Sequence, residues 1–276
     1  MKFCCVLRAF ATDNIVQPFS NEKSVKHIMK KQQQTEEQMQ ALLTRAAGFQ
    51  LLARGFFYPD EGHDQEMQQS FARLYEADRY TGFTPPVALA LTRAQQSWRS
   101  ATVNDAAQEY MRLFLGSGPV SLHETAYGDG RRIAGRPVEL SDINGFYTAF
   151  GFTLSDSHPD LPDHLCTELE FYSLLLVKEA YALSRHWLPQ ARLAHDAAKT
   201  FLEQHLGRWI GAFKESLQKH NNTLYLDLAD AVDAMVDAEC KRLRVQPLPF
   251  TERLPHDEMQ EDNFVCPHAS PMPAPQ

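Results

Sequence analysis

The chain has 276 residues, 43% of them hydrophobic and 22% charged, with a formal net charge of −8. That composition suits a globular protein with a sizeable core, and its acidic balance excludes a reader of phosphate backbones, which needs clustered Lys and Arg. Five scattered cysteines without a CxxC pair (Cys4, Cys5, Cys166, Cys240 and Cys266) fit reduced thiols rather than a disulfide framework, and no apolar run approaches the ~20 residues of a membrane span.

The opening MKFCCVLRAF carries a short apolar stretch broken by Arg8, too short for the core of a secretory signal, so a cytoplasmic location is expected. Residues 1–28 differ in composition from the rest of the chain, Met29 is an alternative start, and no helical period begins until about Glu36. Residues 1–35 are therefore read as a flexible arm. From Glu36 to Phe57, Met39, Leu42, Leu43, Ala46, Phe49, Leu52, Ala53 and Phe56 recur at helical spacing, and Tyr58-Pro59-Asp60 stops the run.

Further helices are expected at about 63–80, 85–99, 104–115, 140–151, 162–186, 189–205, 205–219 and 223–245. Val/Ile-rich alternation is almost absent, so the fold class is all-α, one domain of about nine helices over 36–245. Gly116, Gly118 and Pro119 end one helix, and Gly128, Gly130 and Gly135 mark an irregular connection over 116–138. So long a loop in a helical chain points to function. Residues 246–276 are Pro-rich and acidic and read as a tail.

Charge concentrates in one window. Residues 120–170 hold nine Asp/Glu against three Arg, net −6. An acidic surface lined by aromatic side chains suits a basic, partly apolar peptide. Pro162 and Asp163 read as a helix start, with Asp163 in the first turn beside the positive end of the dipole. That is a sufficient account of both residues. The alternative puts Asp163 and His164 on the rim of a groove, where a carboxylate accepts two hydrogen bonds from an arginine.

His164 and Glu168 share a helix face. With His123 and Glu124 they make the runner-up reading, a metal-dependent all-α enzyme, although no HExxH pattern supports it. Leu113 reads as core, whereas Phe114 beside Gly-Ser-Gly is a pocket candidate. His123, Glu124 and Tyr127 lie in the irregular segment, where binding residues concentrate, and a loop-tethering salt bridge is the plainer role for Glu124. Cys166 reads as a buried, inert thiol. No phosphate loop or nucleophile elbow is present, and no cofactor is implied.

The ordered set Glu109-Tyr110, Leu113-Phe114, Gly118-Pro119, Glu124 with Tyr127, Tyr147 with Gly151-Phe152, and Pro162-Asp163-His164 with Glu168-Leu169 resembles the TorD/DmsD/NarJ family of cytoplasmic redox-enzyme maturation chaperones. The resemblance implies an all-α fold and no catalysis. Its implied partners are the twin-arginine signal peptide and the apo catalytic subunit of a molybdenum-cofactor oxidoreductase, whose export waits on cofactor insertion. Carried over by position, the peptide-binding candidates are Leu113, Phe114, Pro119, Glu124, Pro162, Asp163 and His164, with Tyr127 and Glu168 beside them. A Ser commonly follows the Glu of the loop motif, and here it is Thr125. The expected state is a monomer, or a dimer swapped through 116–138.

Overall fold

In the computed structural model, residues 22–81, 83–128, 136–154 and 161–250 are described. All the regular structure in them is helical. The first helix, α1 (Glu22–Gly55), starts fourteen residues before its apolar pattern does. Its opening turns are rich in Lys, Gln and Glu, good helix formers, and residues 29–34 are exposed. Residues 22–35 are thus helix, a correction to the expected arm, while 1–21 lie outside the described residues. Propensity alone carries this stretch, which periodicity cannot reveal.

From Leu42 onward α1 buries Leu42, Ala46, Phe49, Leu52 and Phe56 along one stripe. Its main partner is α6 (Leu165–Ser184). That helix is apolar almost all round, as a central helix must be, and buries Leu165, Leu169, Phe171, Tyr172, Leu175 and Leu176. Phe49 meets Tyr172 edge-on at 4.7 Å, and the Ser173 hydroxyl donates to the carbonyl of Ala46 at 2.9 Å. The buried polar group is satisfied by the neighbouring backbone.

Around this pair lie α2 (Glu61–Thr81), packed on α1, and α3 (Pro85–Ser100), packed on α9 (Leu224–Leu243). Next comes α4 (Val103–Phe114), which opens on a capping box. The Thr102 hydroxyl accepts from the Asp105 amide at 3.1 Å, and the Asp105 carboxylate accepts from the Thr102 amide at 3.3 Å. After a single 3₁₀ turn (Glu124–Ala126) comes α5 (Arg136–Ala149).

α7 (Leu188–Phe201) passes through a π turn (Leu202–Leu206) into α8 (Gly207–Gln218), which packs on α9. The expected break near 205 is in fact this π turn. Leu202, His205, Leu206 and Trp209 all face inward through it, and π turns recur at functional sites.

α6 begins at Leu165, with His164 as its N-cap, so Pro162 and Asp163 precede the helix rather than open it. At the other end of the chain, Arg244 at φ 56 closes α9 in the left-handed conformation. The first residues of the expected tail then pack down as an extended strap. The Phe250 amide donates to the carbonyl of Arg208 at 2.8 Å. The Arg208 guanidinium lies 4.1 Å from the centre of the Phe250 ring and donates to the carbonyl of Leu248 at 3.2 Å. Residues 251–276 lie outside the described residues.

Candidate functional site

The irregular segment after α4 is fastened to the start of α6 by backbone first. The Glu124 amide donates to the carbonyl of Asp163 at 2.9 Å, and the Leu165 amide donates to the carbonyl of Leu122 at 2.8 Å. Between these bonds His123 and His164 face each other as an isolated antiparallel bridge. Such pairing brings Glu124 into one small volume with Asp163 and Glu168, which follow it by about 40 residues in sequence.

Asp163 is fully buried. It accepts from the Thr125 amide at 3.2 Å, from the Thr125 hydroxyl at 2.5 Å, and pairs with His123 Nδ1 at 3.2 Å. Burial pushes its pKa up, but the bonds from His123 and Thr125 outweigh that and hold the carboxyl below its usual value. The preceding carbonyl, that of Pro162, accepts from the Tyr147 hydroxyl at 2.7 Å. His164 caps α6 through Nδ1, which accepts from the Cys166 amide at 3.3 Å.

Glu124 and Glu168 form the second half of the cluster. Glu124 Oε2 lies 3.3 Å from Nδ1 of His205 in the π turn. His205 Nε2 in turn lies 3.3 Å from the exposed Asp142 of α5, off the line of a hydrogen bond. Glu168 Oε2 accepts from Trp209 Nε1 at 3.0 Å, and Tyr127 stacks on the same indole at 5.5 Å. The Tyr127 hydroxyl donates back to the carbonyl of Ser121 at 2.9 Å, closing the loop on itself.

Burial, and then the adjacent Glu124 carboxylate, push the Glu168 pKa well above the usual range, which favours its protonated form. The Tyr147 hydroxyl is pushed up by burial too, with Glu168, Glu124 and Asp163 adding to it.

The expected acidic residues are therefore brought together, but inside the protein. Glu124, Asp163 and Glu168 are at most 1% exposed, and Leu113, Tyr127 and Pro162 are buried with them. This corrects the expectation of carboxylates on an open rim. Buried this deeply, the carboxylates are out of an arginine's reach unless the turn opens, and each internal hydrogen bond lost in opening costs about 1–3 kcal/mol or more.

Nor do His123, Glu124, His164 and Glu168 converge on a common point. Among the described residues no group of three or more His, Cys, Asp or Glu is arranged to hold a metal ion. Sequence reasoning missed His205 and Trp209. Each sits in an ordinary amphipathic helical pattern, and neither has a local signal of its role.

Two candidates are open to solvent. Pro119 is exposed and Phe114 half-buried. Phe114 ends a chain of edge-on rings running through Tyr110, at 5.1 Å, to Tyr58, at 5.6 Å from Tyr110. Tyr58, Met111 and Leu115 are 45–49% exposed, so the end of α4 presents an apolar rim. Glu109 on the same helix is held by Arg112 and by Asn222, whose amide donates at 2.8 Å. The hydrogen bond from Arg112 leads in drawing its pKa down.

Gly128 secures the turn from its far side. Its φ of +63° is left-handed, and a Cβ there would collide with the Phe250 ring of the strap. Gly128→Ala is expected to cost about 1–3 kcal/mol, from backbone strain and displacement of Phe250. A urea melt within a few tenths of a kcal/mol of the parent would show that the strap gives way freely.

The described residues thus form an all-helical scaffold with an internal acid–histidine latch and an open apolar rim. The sequence model described as "Nitrate reductase delta subunit" matches residues 66–215, and the chain belongs to that family of NarJ/TorD-type chaperones.

It is 32% identical over 206 residues to the selenate reductase assembly chaperone protein of Thauera selenatis, spanning 73% of this chain and 90% of that one. It is 30% identical over 202 residues to the chlorate reductase assembly chaperone protein of Ideonella dechloratans, covering 73% and 91%. The perchlorate reductase assembly chaperone protein of Dechloromonas aromatica (strain RCB) is 24% identical over 210 residues, covering 75% and 93%. Among the described residues no helix is long and apolar enough to cross a membrane.

Proposed function

We propose that the chain is a dedicated chaperone for the apo catalytic subunit of a molybdenum-cofactor reductase of an oxyanion, acting in the cytoplasm and binding the subunit's twin-arginine signal peptide. The observation that carries this reading is the likeness to relatives named as assembly chaperones of selenate, chlorate and perchlorate reductases, over 90% or more of each relative. A twin-arginine leader offers two guanidinium groups followed by an apolar stretch. The rim of Tyr58, Met111, Phe114 and Leu115, with Pro119 after it, suits the apolar stretch, because aromatic and thioether side chains repack around varied partners.

For the arginines the reading uses the carboxylate that solvent reaches most, Asp142 on α5 at 61% side-chain exposure, with Glu109 on α4, 35% exposed, joining where an incoming guanidinium displaces Arg112. The buried set Leu113, Glu124, Tyr127, Pro162, Asp163, His164 and Glu168 then acts from beneath, fixing the shape of the surface the peptide meets. Phe114 and Pro119 are its direct contacts.

Calorimetric titration of the protein with the twin-arginine leader peptide of a molybdenum-cofactor oxyanion reductase tests it. Replacing both arginines by lysine is expected to weaken binding about tenfold or more, since lysine cannot make the forked contact. Phe114→Ala is expected to weaken it by a similar factor, and because the ring also packs edge-on against Tyr110 and Tyr225, a melt run beside the titration separates lost contact from lost packing. Equal affinity for the Arg-Arg and Lys-Lys peptides would refute recognition of the arginines.

A further inference from the structure

A cavity of about 210 Å³ lies between α1, the start of α3 and α9, away from the acid–histidine cluster. Its lining has one apolar side, Phe83, Val87 and Met235, and one polar side, Thr44, Arg45, Glu239 and Arg242. On the polar side a single carboxylate stands between two guanidinium groups. Glu239 accepts from Arg242 Nε at 3.0 Å and Nη2 at 2.7 Å, and from the Tyr172 hydroxyl at 2.8 Å. Arg45 Nε lies 3.2 Å away but off the line of a hydrogen bond, so this buried donor has no acceptor. Glu179 lends weaker attraction from behind and is itself paired with His195 at 3.1 Å.

Two further features of the same cavity call for negative charge. Thr44 is 2% exposed and its hydroxyl has no partner, although a helical Thr ordinarily bonds the carbonyl one turn back. The first turn of α3 carries no acidic residue, and Thr84 makes no side-chain cap. With Pro85 and Pro86 lacking N–H groups, the Val87 amide is the donor this turn leaves for an anion. An orphaned guanidinium nitrogen, an orphaned hydroxyl and an uncapped helix start share one anionic complement, and the facing apolar wall gives that anion a body.

We propose that this cavity binds the carboxylate of a small organic acid. Arg45, Arg242 and Thr44 hold the carboxylate at the start of α3, and Phe83, Val87 and Met235 cover its apolar part. The cavity is below the several hundred Å³ typical of drug-sized ligands, so a single short side chain or a compact metabolite fits and a nucleotide does not. The site is separate from the leader-binding rim and stands whether or not the chaperone reading does.

Calorimetry and thermal melting of the full chain with phenylacetate, against its uncharged isostere phenylacetamide, test the proposal. Phenylacetate is expected to bind at millimolar concentration or better and to raise Tm, with the amide at least about tenfold weaker. Arg45→Gln is expected to abolish the difference between acid and amide. Thr44→Val should weaken phenylacetate several-fold and melt no lower than the parent without ligand, because it removes only an unsatisfied hydroxyl.

Peptides ending in phenylalanine, as free acid and as C-terminal amide, separate the two sources. Tighter binding of the free-acid peptide than of phenylacetate assigns the site to a polypeptide terminus, and weaker binding to a free acid. Equal binding of phenylacetate and phenylacetamide, no binding of either, or a Thr44→Val chain that melts clearly lower overturns the proposal.

Discussion

Replacing Asp163 by Ala is expected to lower stability by about 3–5 kcal/mol, the cost of breaking a buried charged pair while leaving its partners behind. Three donors would lose their acceptor at once: the Thr125 amide, the Thr125 hydroxyl and His123 Nδ1. For a chain of this size that corresponds to a fall in Tm on the order of 10 °C. Asp163→Asn keeps one acceptor oxygen but turns an amide group toward a donor, and about 1–3 kcal/mol is expected.

The pH dependence follows from the depressed pKa of Asp163. The folded carboxyl binds its proton less readily than the unfolded one. Its contribution is therefore full above the unfolded carboxylate pKa and is lost as pH falls through the lower, folded value. Urea melts of parent and Asp163→Ala between neutral and acid pH should converge at the acid end. Equal midpoints at pH 7 would show that Asp163 contributes nothing to the latch.

Glu168 behaves in the opposite sense. Its folded pKa is raised, by burial first and then by Glu124, so the folded state holds a proton that the unfolded state releases. Its presence therefore lowers stability progressively as pH rises above the unfolded carboxylate range toward the folded value. Glu168→Gln imitates the neutral acid, and its carbonyl can still accept from Trp209. It is expected to match or exceed the parent at pH 7 and to gain on it as pH rises. Glu168→Leu instead strands the Trp209 N–H, at a cost of about 1–3 kcal/mol. A Gln variant that loses stability at every pH would mean the carboxylate is held ionised.

Much of the fold was legible because apolar spacing reports directly on helical faces. Leu42, Phe49 and Phe56 announce α1, and Tyr58-Pro59 announces its end. The early start of α1 was not legible, since a solvated helix of Lys, Gln and Glu has no apolar stripe to read. The ordered motif set was legible as a family likeness. The burial of Glu124, Asp163 and Glu168 was not, because acidic side chains are almost never fully buried unless paired, and their partners are remote in sequence. His205 reaches Glu124 across 81 residues and Trp209 reaches Glu168 across 41. A net charge counted over a window treats such groups as solvated, so the −6 of residues 120–170 overstates what an incoming peptide would meet. The π turn escaped notice for a related reason, since one extra residue in a helix leaves the apolar pattern almost intact.

The span between Glu124 and His205 also bears on the order of events during synthesis. Domains emerge N-terminus first, at about 5–20 residues per second, so α4 and the turn after it leave the ribosome several seconds before α8. During that interval the turn can pair with neither His205 nor Trp209, and its carboxylates stay hydrated. The fastening of this region is thus a late, non-local step in maturation of the chaperone itself, and a chain arrested before the π turn would expose acids that the finished protein conceals.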